Sequence, residues 1–212
     1  MIDSPEAAPP PRRRRSDARR SIEAVLNAAR VVLGERPEAS MDDIAAEAGV
    51  TRQTVYAHFP SRDALVAALI EAAAAEYLAA LDAAGLDTAP PADALARFLD
   101  VGWQFLRRNP LLLNPAASGP PRPGRNALSD VVPPRLERLI RRGQDTGDFD
   151  GSQPAAWLTA AVVGLQHAAA AEVTAERLTT HEAELLCLES TLRLCGLRGH
   201  AVQPAREVSR RE

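Results

Sequence analysis

Between Thr51 and Pro60 the chain places Arg52, Gln53, Thr54, Tyr56, Ala57 and His58 around one apolar residue, Val55. A short helix here has a polar face, with Val55 on its apolar side. Residues of these types can together recognise base edges. An arginine fork matches O6 and N7 of guanine, a glutamine amide matches adenine or a phosphate, and an alanine methyl fits beside the methyl of thymine. An enzymatic reading has less to stand on, because the sequence holds no glycine-rich phosphate loop, nucleophile elbow or paired-histidine metal helix. The alternative, an intracellular helical enzyme or metal-binding protein, would use His181, Cys187, Cys195 and His200 as ligands. Their spacing fits neither a zinc finger nor a catalytic site.

Such a face needs a scaffold, and the flanking residues supply one. Ser40 is predicted to cap a helix through Glu47, with Asp42 and Asp43 in the first turn, where the helix dipole favours negative charge. Gly49 ends that helix and Thr51 caps the next, which must finish before Pro60 because the residue preceding a proline is pushed out of the α region. Ser61 then caps a third helix, with Asp63 in its first turn. Ile44, Ala45, Ala48, Val50, Val55 and Phe59 give the two short helices an apolar side, which is a helix-turn-helix pattern. Upstream, Ile22, Leu26, Ala29 and Leu33 form one face of a helix over 17–33 and provide a third wall.

The stretch from Ser40 to Leu65 also resembles the N-terminal signature of the TetR family of bacterial transcriptional regulators. The matching residues are Ile44-Ala45, Ala48-Gly49-Val50, Thr54-Val55-Tyr56, His58-Phe59 and Arg62. A second landmark, Gly143 to Phe149, is similar to the turn that such regulators place before their last two helices. The resemblance implies an all-α protein: an N-terminal three-helix helix-turn-helix DNA-binding domain, then a helical ligand-binding and dimerisation domain. It implies a ligand-responsive repressor that binds a palindromic operator in double-stranded DNA as a homodimer and is released by a small, largely apolar effector, with no enzymatic activity and no cofactor. It further implies that Thr54, Tyr56, His58 and Arg62 hold the DNA backbone, contacts that set register more than sequence. His58 can instead pack or cap within the domain, and Arg52 can stand as a plain surface charge. Two positions depart from the family pattern. Arg62 replaces a common lysine, and Met41 stands where a threonine often touches phosphate, a contact that Ser40 can take over.

Composition fits an all-helical chain: 4% aromatic residues, 17 prolines as punctuation, and alanine and leucine at helical spacing. All 25 basic residues are arginine, and Arg12 to Arg20 hold six of them against one aspartate, in a chain whose net charge is −3. Basic charge is therefore polarised toward the N-terminus, as a DNA-facing end would require. The expected organisation is a disordered Arg-rich arm over 1–16, the helix-turn-helix domain over 17–62, the ligand-binding and dimerisation domain over 63–196 and a flexible tail over 197–212. The arm is either a solvated tail or a segment that meets phosphates or the minor groove. In the helices from Ala155 to Val173 and from Thr180 to Leu194, apolar and small residues on more than one face suggest burial against a second copy.

Phe98, Trp103, Phe105, Leu112, Trp157 and His167 are the candidate lining of an effector pocket, with Gln104, Asn109, Asn114 and Gln166 available to orient a ligand. Aromatic residues at helical spacing are equally the material of a plain core. Cys187 and Cys195 lie roughly 12 Å apart along one helix axis, too far for a disulfide, and read as buried thiols of a reducing cytoplasm. No apolar leader is seen, and Glu71 and Glu76 interrupt the best apolar run, so neither a membrane span nor a membrane partner is expected.

Overall fold

In the computed structural model residues 11–113 and 127–197 are described, and all the secondary structure in them is helical. In chain order the helices are α1 (Pro11–Glu35), α2 (Met41–Glu47), α3 (Arg52–His58), α4 (Arg62–Ala83) and α5 (Pro91–Arg108). A 3-10 turn (Pro110–Leu113) follows, then α6 (Ala127–Thr146), α7 (Ala155–Thr174) and α8 (Thr180–Leu194). One expectation is corrected at the start. The arm is helical from Pro11, because a proline suits the first turn of a helix and arginine is a good helix former. Residues 1–10 and the tail beyond Leu197 lie outside the described residues.

Packing divides the chain into two units. The first holds the described residues up to Ala73 together with 108–113; the second holds 74–107 and 127–197. This boundary falls inside α4 and not at Arg62. The core of the first unit is built from Val25, Ala29 and Leu33 of α1, Met41, Ile44 and Ala45 of α2, Val55 of α3, and Leu65 and Leu69 of α4. Leu111 joins the same cluster, and Pro110 sits so close to Gly34 that a Cβ there would stand 3.4 Å from its ring.

The second unit packs Leu95, Phe98 and Leu99 of α5 with Leu136 and Ile140 of α6, Leu158 and Val162 of α7, and Ala183 and Cys187 of α8. Helix α6 continues through Pro133 and Pro134, so the helix begins ahead of these prolines. Its far end closes on the second landmark: the Phe149 amide donates to the Gly143 carbonyl at 2.9 Å, and the Phe149 ring lies where a Cβ on Gly143 would collide with it. Only glycine admits that approach.

Helix α4 corrects the membrane expectation in part. It is long and apolar enough to cross a membrane despite Glu71 and Glu76. Its apolar residues are spent on cores instead: Leu65 and Leu69 in the first, Tyr77 and Leu81 in the second.

Candidate nucleic-acid interface

The short helices α2 and α3 are held by local hydrogen bonds before any packing is counted. Ser40 caps α2, which runs through Glu47 as its end signals predict, by a reciprocal box with Asp43: the Asp43 amide donates to Ser40 Oγ at 3.2 Å, and the Ser40 amide donates back to the Asp43 carboxylate at 2.8 Å. Such a box pairs the cap with the side chain three residues on. The Ser40 hydroxyl also donates to that carboxylate, at 2.6 Å, and together these bonds hold the Asp43 carboxyl below its ordinary value.

At the other end Gly49 adopts φ +65. Its amide donates to the Ala46 carbonyl at 3.2 Å and the Val50 amide to the Ala45 carbonyl at 3.1 Å. This is the paired bond pattern of a Schellman stop, whose left-handed residue favours glycine. Thr51 then caps α3, accepting from the Thr54 amide at 3.2 Å, and the two threonine hydroxyls lie 2.8 Å apart.

Helix α3 buries Val55 in the first core and turns Arg52, Gln53, Tyr56 and Ala57 to solvent, with Thr54 and His58 half-buried. The face anticipated from spacing is thus assembled on one side of one helix. Arg52 is engaged: its Nη1 donates to Asp42 Oδ2 at 2.5 Å, and its guanidinium lies 5.2 Å from the centre of the Tyr56 ring. His58 packs edge-on against Phe59, with ring centres 6.4 Å apart. Thr51 and Ser40 are exposed but occupied by their caps.

Two positions differ from expectation. Arg62 turns its guanidinium inward, donating from Nε to the Ala39 carbonyl at 3.4 Å and from Nη2 to the Pro37 carbonyl. The loop before α2 leaves these carbonyls without helical partners, and an arginine reaches them from the start of α4. Met41 is buried at 6% exposure within the core cluster, so this position packs the fold here. The residue that spacing missed is Asp42. Its place in the first turn of α2 explained its charge fully, and its approach to Arg52 needs the tight turn at Gly49 to bring the two helices together.

The effector candidates separate. Phe98 is fully buried, and Trp103 is nearly so, its indole Nε1 buried with no hydrogen-bond partner among the described residues. Phe105 stacks on Tyr77 with ring centres 4.6 Å apart, and burial pushes the Tyr77 phenol up to about 12. Trp157 (61% exposed) and His167 instead lie on the outer face of α7, and the Leu112 side chain lies outside the described residues. An apolar helix can turn either face inward, which is why periodicity could not sort them. Of the polar set, Gln104 bonds Asp100 at 2.7 Å, Gln166 abuts Gly102, and Asn109 is buried in the first unit; Asn114 is outside the described residues.

Cys187 and Cys195 are buried free thiols, both shifted upward by burial, Cys195 to about 11. Such thiols are poor metal ligands at neutral pH. Among the described residues no three His, Cys, Asp or Glu side chains are grouped to hold a metal ion; His181 is exposed, and His200 lies outside them.

Fold and reading face define the class: a helix-turn-helix protein with a helical second unit. Residues 25–69 match the family model of bacterial regulatory proteins of the tetR family. The HTH-type transcriptional repressor LfrR of Mycolicibacterium smegmatis is 38% identical over 81 residues. That match spans 38% of this chain and 43% of the repressor, so the chain is aligned with under half of that relative's length. The crystal structure of LfrR from Mycobacterium smegmatis, in complex with proflavine, is similar with a TM-score of 0.63 at 26% identity, over 81% of this chain and 95% of that one. The fold is shared too with the regulator FadR of Bacillus subtilis in complex with stearoyl-CoA, with a TM-score of 0.66 at 14% identity, over 84% and 99% of the two chains. Residues 25–69 thus carry the DNA-binding signature of the tetR family of bacterial regulatory proteins, and the chain shares the fold of a TetR-like regulator.

Proposed function

We propose that the protein is a ligand-responsive, DNA-binding transcriptional repressor of the cytoplasm that holds a palindromic operator as a homodimer. The carrying observation is the exposed face of α3, which sets Arg52, Gln53, Tyr56 and Ala57 side by side on a helix fixed by its own cap and by Val55. Residues 17–62 read DNA in this proposal, and 63–196 bind effector and pair with a second copy. One α3 spans too few base pairs for useful affinity. Two of them about 34 Å apart enter successive major grooves on one side of the duplex. Ser40, Thr51, Thr54 and His58 flank the reading face and supply backbone contacts, with their caps exchanging partners for phosphate.

Pairing is supported by the solvent side of α7, where Trp157 stands among Ala156, Ala160, Gly164 and Ala168, and by the exposed Leu185 and Leu186 of α8. An apolar effector is supported by the aromatic interior of the second unit around Phe98, Trp103 and Phe105. LfrR in complex with proflavine, a planar aromatic, and FadR in complex with stearoyl-CoA, a long acyl thioester, are examples of this fold with small-molecule ligands and support that reading. Such a ligand acts by favouring a state whose α3 helices no longer match groove spacing. Selection from a random duplex pool tests the proposal: a two-fold symmetric sequence bound more weakly as salt rises is expected. A pool that yields no consensus overturns it.

A further inference from the structure

Arg52 does not stand alone on the reading face. Its two partners restrain it along different directions. The Tyr56 ring, one turn along α3, lies with its centre 5.2 Å from the guanidinium carbon and attracts the charge toward its face. Asp42, on the preceding helix, takes Nη1 at 2.5 Å and fixes its direction. Both side chains of the ion pair are more than half exposed, at 62% and 54%, and a pair so solvated contributes little to fold stability.

The consequence lies in which donors remain. A guanidinium carries five N–H donors in a rigid fork. With its Nη1 end held by Asp42, the Nε and Nη2 edge is the pair of parallel donors left to meet O6 and N7 of guanine. A free arginine can equally fold back onto a phosphate; one clamped between an acid and a ring cannot do so without breaking both contacts. Asp42 has a second effect of opposite sign, because beside a duplex its charge repels phosphate and weakens binding to every sequence alike.

We infer that Asp42 is a specificity-determining positioning residue, holding Arg52 against Tyr56 in the orientation that accepts guanine at one position of each half-site. This rests on α3 being the base-reading helix. The test selects duplexes from a random pool with the full chain and with Asp42→Asn, Asp42→Ala and Arg52→Ala, and measures affinity for an unrelated duplex of equal length. The unaltered chain should enrich guanine at one half-site position. That enrichment should fall about tenfold in Arg52→Ala, the scale of one bidentate base contact, and by a smaller but clear factor in both Asp42 variants. The Asp42 variants should also bind the unrelated duplex more tightly, as relief of charge repulsion requires; the fall in guanine enrichment is the change that loss of a purely structural first-turn acid would not produce. Guanine enrichment that survives both Asp42 substitutions, or weaker binding to both kinds of duplex, overturns the assignment while leaving α3 as the reader. Failure of the unaltered chain to select any sequence overturns the DNA reading and the assignment with it.

Discussion

Helices α3 and α7 each turn one side to solvent, and the two sides have opposite chemistry. On α3 the exposed residues are Arg52, Gln53, Tyr56 and Ala57, with Val55 as the one buried anchor; on α7 the exposed set is mainly Trp157 and a row of alanines and a glycine, with His167 as a polar member and Leu158 and Val162 buried behind. Water satisfies the first face, which can therefore wait for a polyanion without cost. It does not satisfy the second, since an indole and small apolar residues gain by leaving water. Exposure alone thus says nothing about a partner. The residue types that are exposed separate a surface suited to phosphates and bases from one suited to another apolar surface, which the proposed function assigns to a second copy of α7 and α8.

Substituting Trp157 with glutamate should break this contrast most strongly, by giving α7 the chemistry of α3. Large aromatic anchors at interface centres contribute about 2–4 kcal/mol, so operator affinity should fall on the order of 100-fold and sedimentation should register a monomer. A dimer that persists would show that the α7 face is not the pairing surface. A smaller effect is expected from Met41→Thr, which restores the residue common in the family at a site that is core here. Burying the hydroxyl should cost about 1–3 kcal/mol in urea unfolding, with no gain in DNA affinity. Tighter binding at unchanged stability would put the first residue of α2 on the DNA side.

The smallest effect concerns the caps. The Ser40 hydroxyl and amide, with Arg36 adding a weaker pull, hold the Asp43 carboxyl below its ordinary 3.8. A folded-state value below the unfolded one stabilises the native state above about pH 4, and that contribution disappears as pH falls through the lowered value. Ser40→Ala should therefore melt lower than the unaltered protein at neutral pH, the two curves converging in acid. Thr179→Ala should behave alike, since Thr179 lowers Glu182 through the same box at α8. A gap that persists unchanged into acid would separate the caps from these carboxylates.

What could be read from the sequence was what local chemistry decides. Thr51, Gly49 and Ser61 mark helix ends through local hydrogen bonds and Pro60 through its clash with a helical residue before it, so the extents of α2 and α3 and the start of α4 follow from them directly. The reading face followed because seven residues with one apolar member leave a single way to orient the helix. The misreadings have a different origin. The resemblance turns Arg62 toward DNA, whereas in this chain that arginine satisfies two loop carbonyls; Met41, a departure from the family pattern, packs in the first core. Trp157 was placed inward because α7 is apolar on both sides, and nothing within a single chain's periodicity says which side another element covers. Asp42 went unnoticed because its interaction crosses a turn, and a three-dimensional approach of that kind has no linear signature.

The two tryptophans sit in opposite surroundings, Trp103 sealed in the core of the second unit and Trp157 largely in water. The molecule therefore carries two optical probes that report different events. Trp103 should emit blue-shifted light that changes only when the fold opens, while Trp157 should emit red-shifted, readily quenched light that shifts when another surface covers it. Unfolding and assembly can then be followed separately in one cuvette, without adding a label.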